Sequence, residues 1–341
     1  MAEGKEVLLA AAASMAMRIV RIVPAGMTHP FGDERTVSQA FPAAIPSEES
    51  DPFLMCDSFS LVSAGVEPDQ DTFPVAWHPH RGMDILSYLK SGVGRHGDSM
   101  GNRETYATPG MQWISCGSGI EHAEGGGTPK GETLAGFQIW INVPSALKMA
   151  DPRYGTELPE AIPQVPVAPG AFARLLAGPG GAAWGVGKVG PFATVQPVQV
   201  IDFELSPGAS LEHAIPSSMN TCMIYVYEGR GTLGGQPIAA KSVALLGAGS
   251  DRARVFRLTA DEPPASPEPG SGSSSSSKNL CAILFAGRKL EQPIAWHGPI
   301  VMTTRAELAE TFRDLRSGAF PPKRVAWDYK RIATRPVDKE L

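Results

Sequence analysis

The segment Trp77-His78-Pro79-His80-Arg81-Gly82 carries two imidazoles two residues apart, and Gly119-Ile120-Glu121-His122-Ala123-Glu124 carries an imidazole and a carboxylate at the same spacing. In an extended chain side chains alternate between faces, so each pair projects to one side of its strand. Two such strands side by side aim three imidazoles and one carboxylate at a single point. Donors of that kind and number leave positions open in a six-coordinate sphere, which suits Fe(II), Mn(II), Ni(II) or Cu(II) better than a closed structural zinc. Open positions mean catalysis or small-ligand binding. Glu124 could also accept a proton from a substrate hydroxyl, the role of a general base.

Either pair alone is ambiguous between a metal half-site and an ordinary surface strand. Pro79 adds weight to the first reading, because it cannot donate to a sheet ladder and marks an edge or strand end. The combination of two pairs within one β-rich run gives the metal site. Other candidates fall away. Gly229-Arg230-Gly231-Thr232-Leu233-Gly234 matches a dinucleotide fingerprint after a strand, but Gly235, Gln236 and Pro237 follow where a helix must begin, so it reads as a glycine-rich hairpin. His29, His96 and His297 stand singly and read as structural or surface residues. Asp98 and Asn102 read as shaping a polar turn, Cys116 as a small buried residue, and Trp77 and Trp113 as core packing before pocket lining.

The elements that must position these residues are short strands. Gly (37) and Pro (31) are abundant among runs of Val, Ile and Tyr, the pattern of many strands joined by turns. Met17 to Val23 alternates and stops at Pro24. Phe53 to Cys56 is a short buried run, and Pro42 to Asp51 reads as a surface loop. Ile85 to Leu89 leads into Ser91-Gly92-Val93-Gly94, a hairpin signal, and Phe137 to Val143 alternates cleanly. Residues 144–170 are Pro-rich and read as an irregular linker. A second β-rich run follows, with a strong strand at Cys222 to Tyr227. Its text repeats the first faintly: Tyr88 to Gly92 then Ile114 to Gly119 resembles Tyr227 to Gly231 then Ala244 to Gly249. The second copy has His213 but no His-x-His and no His-x-Glu, so the metal site belongs to the first copy only. Residues 263–278, with a serine run, read as a disordered loop insertion. Thr303 to Ser317 has helical periodicity, with a capping box at Thr304 and Glu307 and Gly318 as its stop.

Hydrophobic residues make up 43% and charged residues 19% of the 341, enough for a core, and the net charge of −5 with scattered basic residues argues against direct nucleic-acid binding. No stretch reaches the roughly 20 apolar residues of a membrane helix. Lys5 precedes an apolar run from Val7 to Met17, but Glu3 and Glu6 argue against a signal peptide. An organelle presequence stays open. Cys56, Cys116, Cys222 and Cys281 show no metal or disulfide spacing, which fits a reducing compartment.

These pieces together resemble the pirin family of the cupin superfamily. The resemblance is carried by Asp51-Pro52-Phe53-Leu54-Met55, His78-Pro79-His80-Arg81-Gly82, Asp98-Ser99-Met100-Gly101-Asn102, Gln112-Trp113, Gly119 to Glu124, Phe137 to Asn142 and His297-Gly298-Pro299-Ile300-Val301-Met302, across roughly residues 17 to 330. It implies an all-β fold of two tandem cupin (jelly-roll type) barrels with a short C-terminal helix. On that reading 1–16 is an extension, 17–143 the metal-binding barrel, 144–170 the linker, 171–302 a barrel without a metal site, and 303–341 the helix and tail. It further implies one Fe(2+) per chain, held by His78, His80, His122 and Glu124. The implied activity is that of a quercetin 2,3-dioxygenase, an oxidoreductase opening a flavonol ring with dioxygen, with Glu124 catalytic. The alternative it carries is a non-enzymatic, iron-sensing co-regulator that binds transcription-regulator proteins. A monomer in cytoplasm or nucleus is expected. Two departures stand out: Met83-Asp84-Ile85 replaces the family's usual Phe-Glu-Thr, and the turn at Pro109-Gly110 is one residue shorter. Asp84 is expected to disturb a contact beside the metal ligands.

Overall fold

The computed structural model describes residues 16–26, 37–65, 73–247, 254–262, 278–331 and 336. The serine-rich stretch from 263 to 277 and residues 1–15 lie outside them, as do His29 and Gly249. Each half of the chain builds one barrel from a large and a small antiparallel sheet. In the first barrel the large sheet runs, in spatial order, Arg153–Glu157, Gly110–Ser115, Met83–Ser91, Thr133–Asn142, Phe53–Val62, Val37–Phe41. Its small sheet runs Val75–His80, Ile120–Glu124, Val93–Asp98, Arg103–Ala107. The second barrel repeats the small sheet as Ser210–Ala214, Val255–Ala260, Arg230–Leu233, Gln236–Ala239.

Period-two alternation decides how the barrels join. Along Met83–Ser91, Met83 and Ile85 enter the first barrel's interior, while Leu86 and Tyr88 face the other way. In the second barrel's large sheet, Ile224 and Leu284 point inward and Tyr225 and Phe285 outward. The outward residues of both large sheets form one shared apolar core, with Phe41, Phe53 and Phe137 against Met223, Tyr225 and Phe285. A sheet buried on both faces reads as an unbroken apolar run, as Leu280–Gly287 does. At one margin of this core Asp202, fully buried, accepts from the hydroxyls of Tyr88 (2.8 Å) and Tyr227 (2.7 Å) and from Lys90 Nζ (2.7 Å).

The pairing departs from the division expected from sequence. Arg18–Pro24 does not join the first barrel; it pairs with Ser242–Gly247 of the second, because Ile19 and Ile22 pack against that barrel's apolar interior. The expected linker is not irregular. Its residues Arg153–Glu157 extend the first large sheet and Gln164–Ala168 pair with Ala171–Pro179 of the second. The expected hairpin at Ser91-Gly92 is a corner instead. Met83–Ser91 belongs to the large sheet and Val93–Asp98 to the small one, and Gly92, at φ +90°, lets the chain turn between them. Gly229 marks the matching corner, and the hairpin predicted in that glycine run turns one strand later, at Gly234-Gly235. The Pro42–Asp51 loop contains a single helical turn, Ser47–Ser50.

Past the second barrel, the hairpin Ala295–His297/Ile300–Met302 and the helix Arg305–Ser317 return to the first barrel, where Val301 joins the interior cluster of Leu54, Met83 and Ile114. The helix has the expected capping box at Thr304 and Glu307 and a left-handed Gly318 at its end. Among the described residues no helix is long and apolar enough to cross a membrane.

Asp202→Ala leaves two buried phenols and a lysine without their acceptor. We expect it to destabilise the protein by about 3 kcal/mol in urea unfolding; a loss below about 1 kcal/mol would show that the cluster does not tie the barrels together.

Candidate metal centre

The small sheet of the first barrel brings the two predicted pairs together. His78 stands directly across from His122, and His80 across from Ile120. Ring centroids are 4.3 Å apart for His78 and His122, 4.7 Å for His78 and His80, and 4.9 Å for His80 and His122. One nitrogen from each ring lies within 4.8 Å of the others, and these three histidines form a group able to hold a metal ion. A register shift between Val75 and His78 interrupts the ladder. It leaves Ala76 out of the ladder, and the Ala76 carbonyl accepts from His78 Nδ1 at 2.7 Å. His80 Nδ1 donates to the Pro299 carbonyl at 3.1 Å. A carbonyl can only accept, so both rings carry their proton on Nδ1 and keep the Nε2 lone pair free.

His80 and His122 are buried, and burial holds both well below the ordinary imidazole value, with the neighbouring histidines adding to the effect. They are therefore neutral, the state that binds metal. His80 Nε2 and both nitrogens of His122 have no hydrogen-bond partner. Buried polar atoms without partners are rare and costly, about 1–3 kcal/mol each. Converging orphaned nitrogens are what a metal site looks like without its ion, so these residues fit one.

Glu124 shares the inward face of His122 but lies outside the three-histidine group. Its Oε2 accepts from Gln112 Nε2 at 2.7 Å and its Oε1 from Gln138 Nε2 at 3.4 Å. Gln112, Ser87 and Gln138 occupy one row across three adjacent strands of the facing sheet. The Ser87 hydroxyl donates to Gln138 Oε1 and accepts from Gln112 Nε2. The carboxylate plane is thus set by the opposite wall. Ser87 and Gln138 had no sequence signal as site residues; their partnership exists only across strands.

A third pair at the same spacing completes the sheet face. His96 lies across from Glu124, and Asp98 across from His122. Both are buried. Asp98 Oδ2 accepts from His96 Nε2 at 3.0 Å and from Asn102 Nδ2 at 2.7 Å, while Oδ1 accepts from the N–H groups of Met100 and Asn102. His96 stacks on Tyr154 at 4.2 Å and lies 5.4 Å from His122. It is a wall of the site rather than the isolated residue the sequence suggested, and Asp98 shapes the turn and orients His96 together. Trp140 closes another side, 5.3 Å from His80. Trp113 stacks on Phe192 in the inter-barrel packing, as expected of a core residue. Trp77 instead packs outside the barrel, against Phe73 and Tyr329. Cys116 is a small buried core residue, as expected.

Asp84 corrects an expectation. It lies on the face of Leu86 and Tyr88, away from the histidines, with Ser115 and the Val195 N–H as partners. Burial raises its carboxyl to about 6, against the pull of those partners and of Arg153 and Lys148. In the second barrel the cross-strand pairs corresponding to His78/His122 and His96/Glu124 are His213/Phe256 and Leu233/Leu258.

Two models describe the chain. Pirin matches residues 34–141 and the Pirin C-terminal cupin domain matches residues 200–321. Pirin-like protein 2 of Arabidopsis thaliana is 32% identical, over 79% of this chain and 75% of its own length. Quercetin 2,3-dioxygenase from Acinetobacter baumannii superposes with a TM-score of 0.74 at 25% identity, covering 90% of this chain and 99% of that one. A bacterial pirin from Escherichia coli, solved in complex with nickel(II), has the same fold, with a TM-score of 0.54 at 20% identity over 79% of this chain and 99% of its own.

An Asp raised to about 6 from 3.8 favours the folded state while protonated, and that contribution is lost as pH rises through about 6. Asp84→Asn stays neutral throughout. Its stability relative to the parent should therefore rise between about pH 4 and about pH 8, by up to about 3 kcal/mol in urea unfolding. A pH-independent difference would contradict the raised carboxyl.

Proposed function

The chain belongs to the pirin family, and from that premise we propose that it is a metal-dependent dioxygenase of the quercetin 2,3-dioxygenase type, using iron(II) held by His78, His80, His122 and Glu124. The observation that carries this reading is the convergence of neutral imidazoles whose buried nitrogens lack partners. The likeness to the Acinetobacter enzyme supports the substrate class. Bound iron would supply a redox-active Lewis acid with positions open to a chelating substrate.

The chain's own residues do the rest. Ala76 and Pro299 fix the two rings of the His-Pro-His segment through their Nδ1 protons. His80 and His122 are buried and close the deep side to water, whereas His78 and Glu124 are half-buried and leave one side for approach. A flavonol offers a 3-hydroxyl beside a carbonyl. Glu124 takes the hydroxyl proton on a carboxylate oxygen, and Gln112 and Gln138 hold that carboxylate in place while it does so. Trp140 gives the planar substrate an aromatic wall.

Protein purified without added metal should contain iron, and with Fe(II) and oxygen it should consume quercetin, followed as loss of flavonol absorbance. His122→Ala should bring both bound iron and quercetin loss to background. Glu124→Gln should slow turnover roughly 100-fold. Stoichiometric zinc in place of iron, or no quercetin loss where a known flavonol dioxygenase works, would overturn the proposal.

A further inference from the structure

The segment that follows the second barrel reaches the histidine site through the Pro299 carbonyl, and Arg81 contacts that segment from the residue after His80. Pro299, whose carbonyl accepts from His80 Nδ1, is 219 residues along the chain from it, between the strands Ala295–His297 and Ile300–Met302. That hairpin is held against the residues after His80. Arg81 bridges Ile300 in parallel, and the Val301 N–H donates to the Arg81 carbonyl at 3.1 Å. Gly82 must be glycine for this approach: at φ +80° a Cβ would stand 2.1 Å from the Val301 carbonyl oxygen. Lys148, buried, caps the same contact by donating to the carbonyls of Gly82 and Val301.

The Arg81 side chain reaches the other way, into the helix. Its NH1 donates to Thr311 Oγ1 and to Asp314 Oδ2, both at 2.9 Å, and its guanidinium lies 5.0 Å from the Phe320 ring centroid. Its Nε donates to the Ser118 carbonyl at 2.7 Å, in the turn that leads into the strand of His122. One buried guanidinium therefore joins three things: the strand end of His80, the turn feeding His122, and the C-terminal helix. A planar group with a fixed fork of donors is suited to this, and a lysine is not. Further along, Val325 N–H donates to the Ser99 carbonyl and the Tyr329 hydroxyl donates to Glu121, so the tail also clasps the outer face of the same sheet.

We propose that Arg81, through Thr311 and Asp314, is a positioning residue of the metal centre: it seats the 299–314 segment so that the Pro299 carbonyl holds His80 in its metal-binding tautomer. The ring's proton then stays on Nδ1 and the Nε2 lone pair stays aimed at the site. A buried guanidinium could serve only to stabilise the fold, and the test must separate the two roles. The inference rests on the reading of the histidines as metal ligands, so it carries one measurement that needs no metal.

Full-length Arg81→Ala, Arg81→Lys and Asp314→Asn proteins would be compared with the parent for cobalt(II) affinity by chelator competition, for the visible cobalt(II) spectrum, and for the His80 tautomer by nitrogen NMR of the metal-free proteins. Arg81→Ala should lose about tenfold or more in cobalt affinity, with shifted visible bands and a mixed His80 tautomer. Arg81→Lys should recover only part of this, and Asp314→Asn should lie between it and the parent. Should Arg81→Ala not fold, Asp314→Asn, altered at a partly exposed helix position, decides the matter. Parental cobalt affinity and spectrum in the folded variants would overturn the proposal. If the parent binds no cobalt, the ligand reading falls, and a His80 tautomer that is the same in parent and variants overturns the positioning role independently.

Discussion

The site depends on three imidazoles brought to one point by the pleat of a single small sheet. His78, His80 and His122 each bring one nitrogen to within 4.8 Å of the others. Such a cluster keeps its shape only if its surroundings leave the side chains no alternative arrangement. The pleat supplies the first part, by sending three two-residue pairs inward from three adjacent strands. The facing sheet supplies the second, through the row Gln112, Ser87 and Gln138 that receives Glu124. The apolar bulk of the molecule sits elsewhere, in the inter-barrel core and in the interior of the second barrel.

The two barrels divide this labour. They share a strand plan, and the second keeps one histidine, His213, while Phe256, Leu233 and Leu258 at the other corresponding positions join its continuous apolar interior. The first barrel's interior apolar cluster, around Leu54, Met83 and Ile114, is the smaller one. A barrel with so little interior packing of its own leans on a neighbour. The double-faced large sheets, with Tyr88 and Lys90 reaching Asp202, are how it does so.

The sequence reveals what is local. His78 with His80 and His122 with Glu124 are legible because strand period is a property of neighbouring residues, and the capping box of the helix is legible for the same reason. His96 and Asp98 have the same spacing but carry it through Gly97 in a turn-rich stretch, where each reads as a lone polar residue. Ser87 and Gln138 are invisible as site residues because their meaning lies in cross-strand register. Arg18–Pro24 alternates as any strand does, and nothing nearby says that its partner is Ser242–Gly247. Asp84 sits beside the ligands in sequence, yet one step of pleat turns it to the opposite face; proximity along a strand is not proximity in space. The family resemblance and the two-barrel fold hold because many short ordered pieces carry them.

The return of the chain to the first barrel has a bearing on biosynthesis. Residues 295–331 emerge from the ribosome after both barrels, yet they contain the carbonyl that orients His80, the helix that receives Arg81 and the tail that clasps Glu121. The strands that carry the first barrel's histidines are therefore synthesised before the segment that contacts His80. If the histidines take an ion as proposed, their final geometry waits for the carboxyl-terminal segment. A chain released early would carry all three histidines without the carbonyl that holds His80.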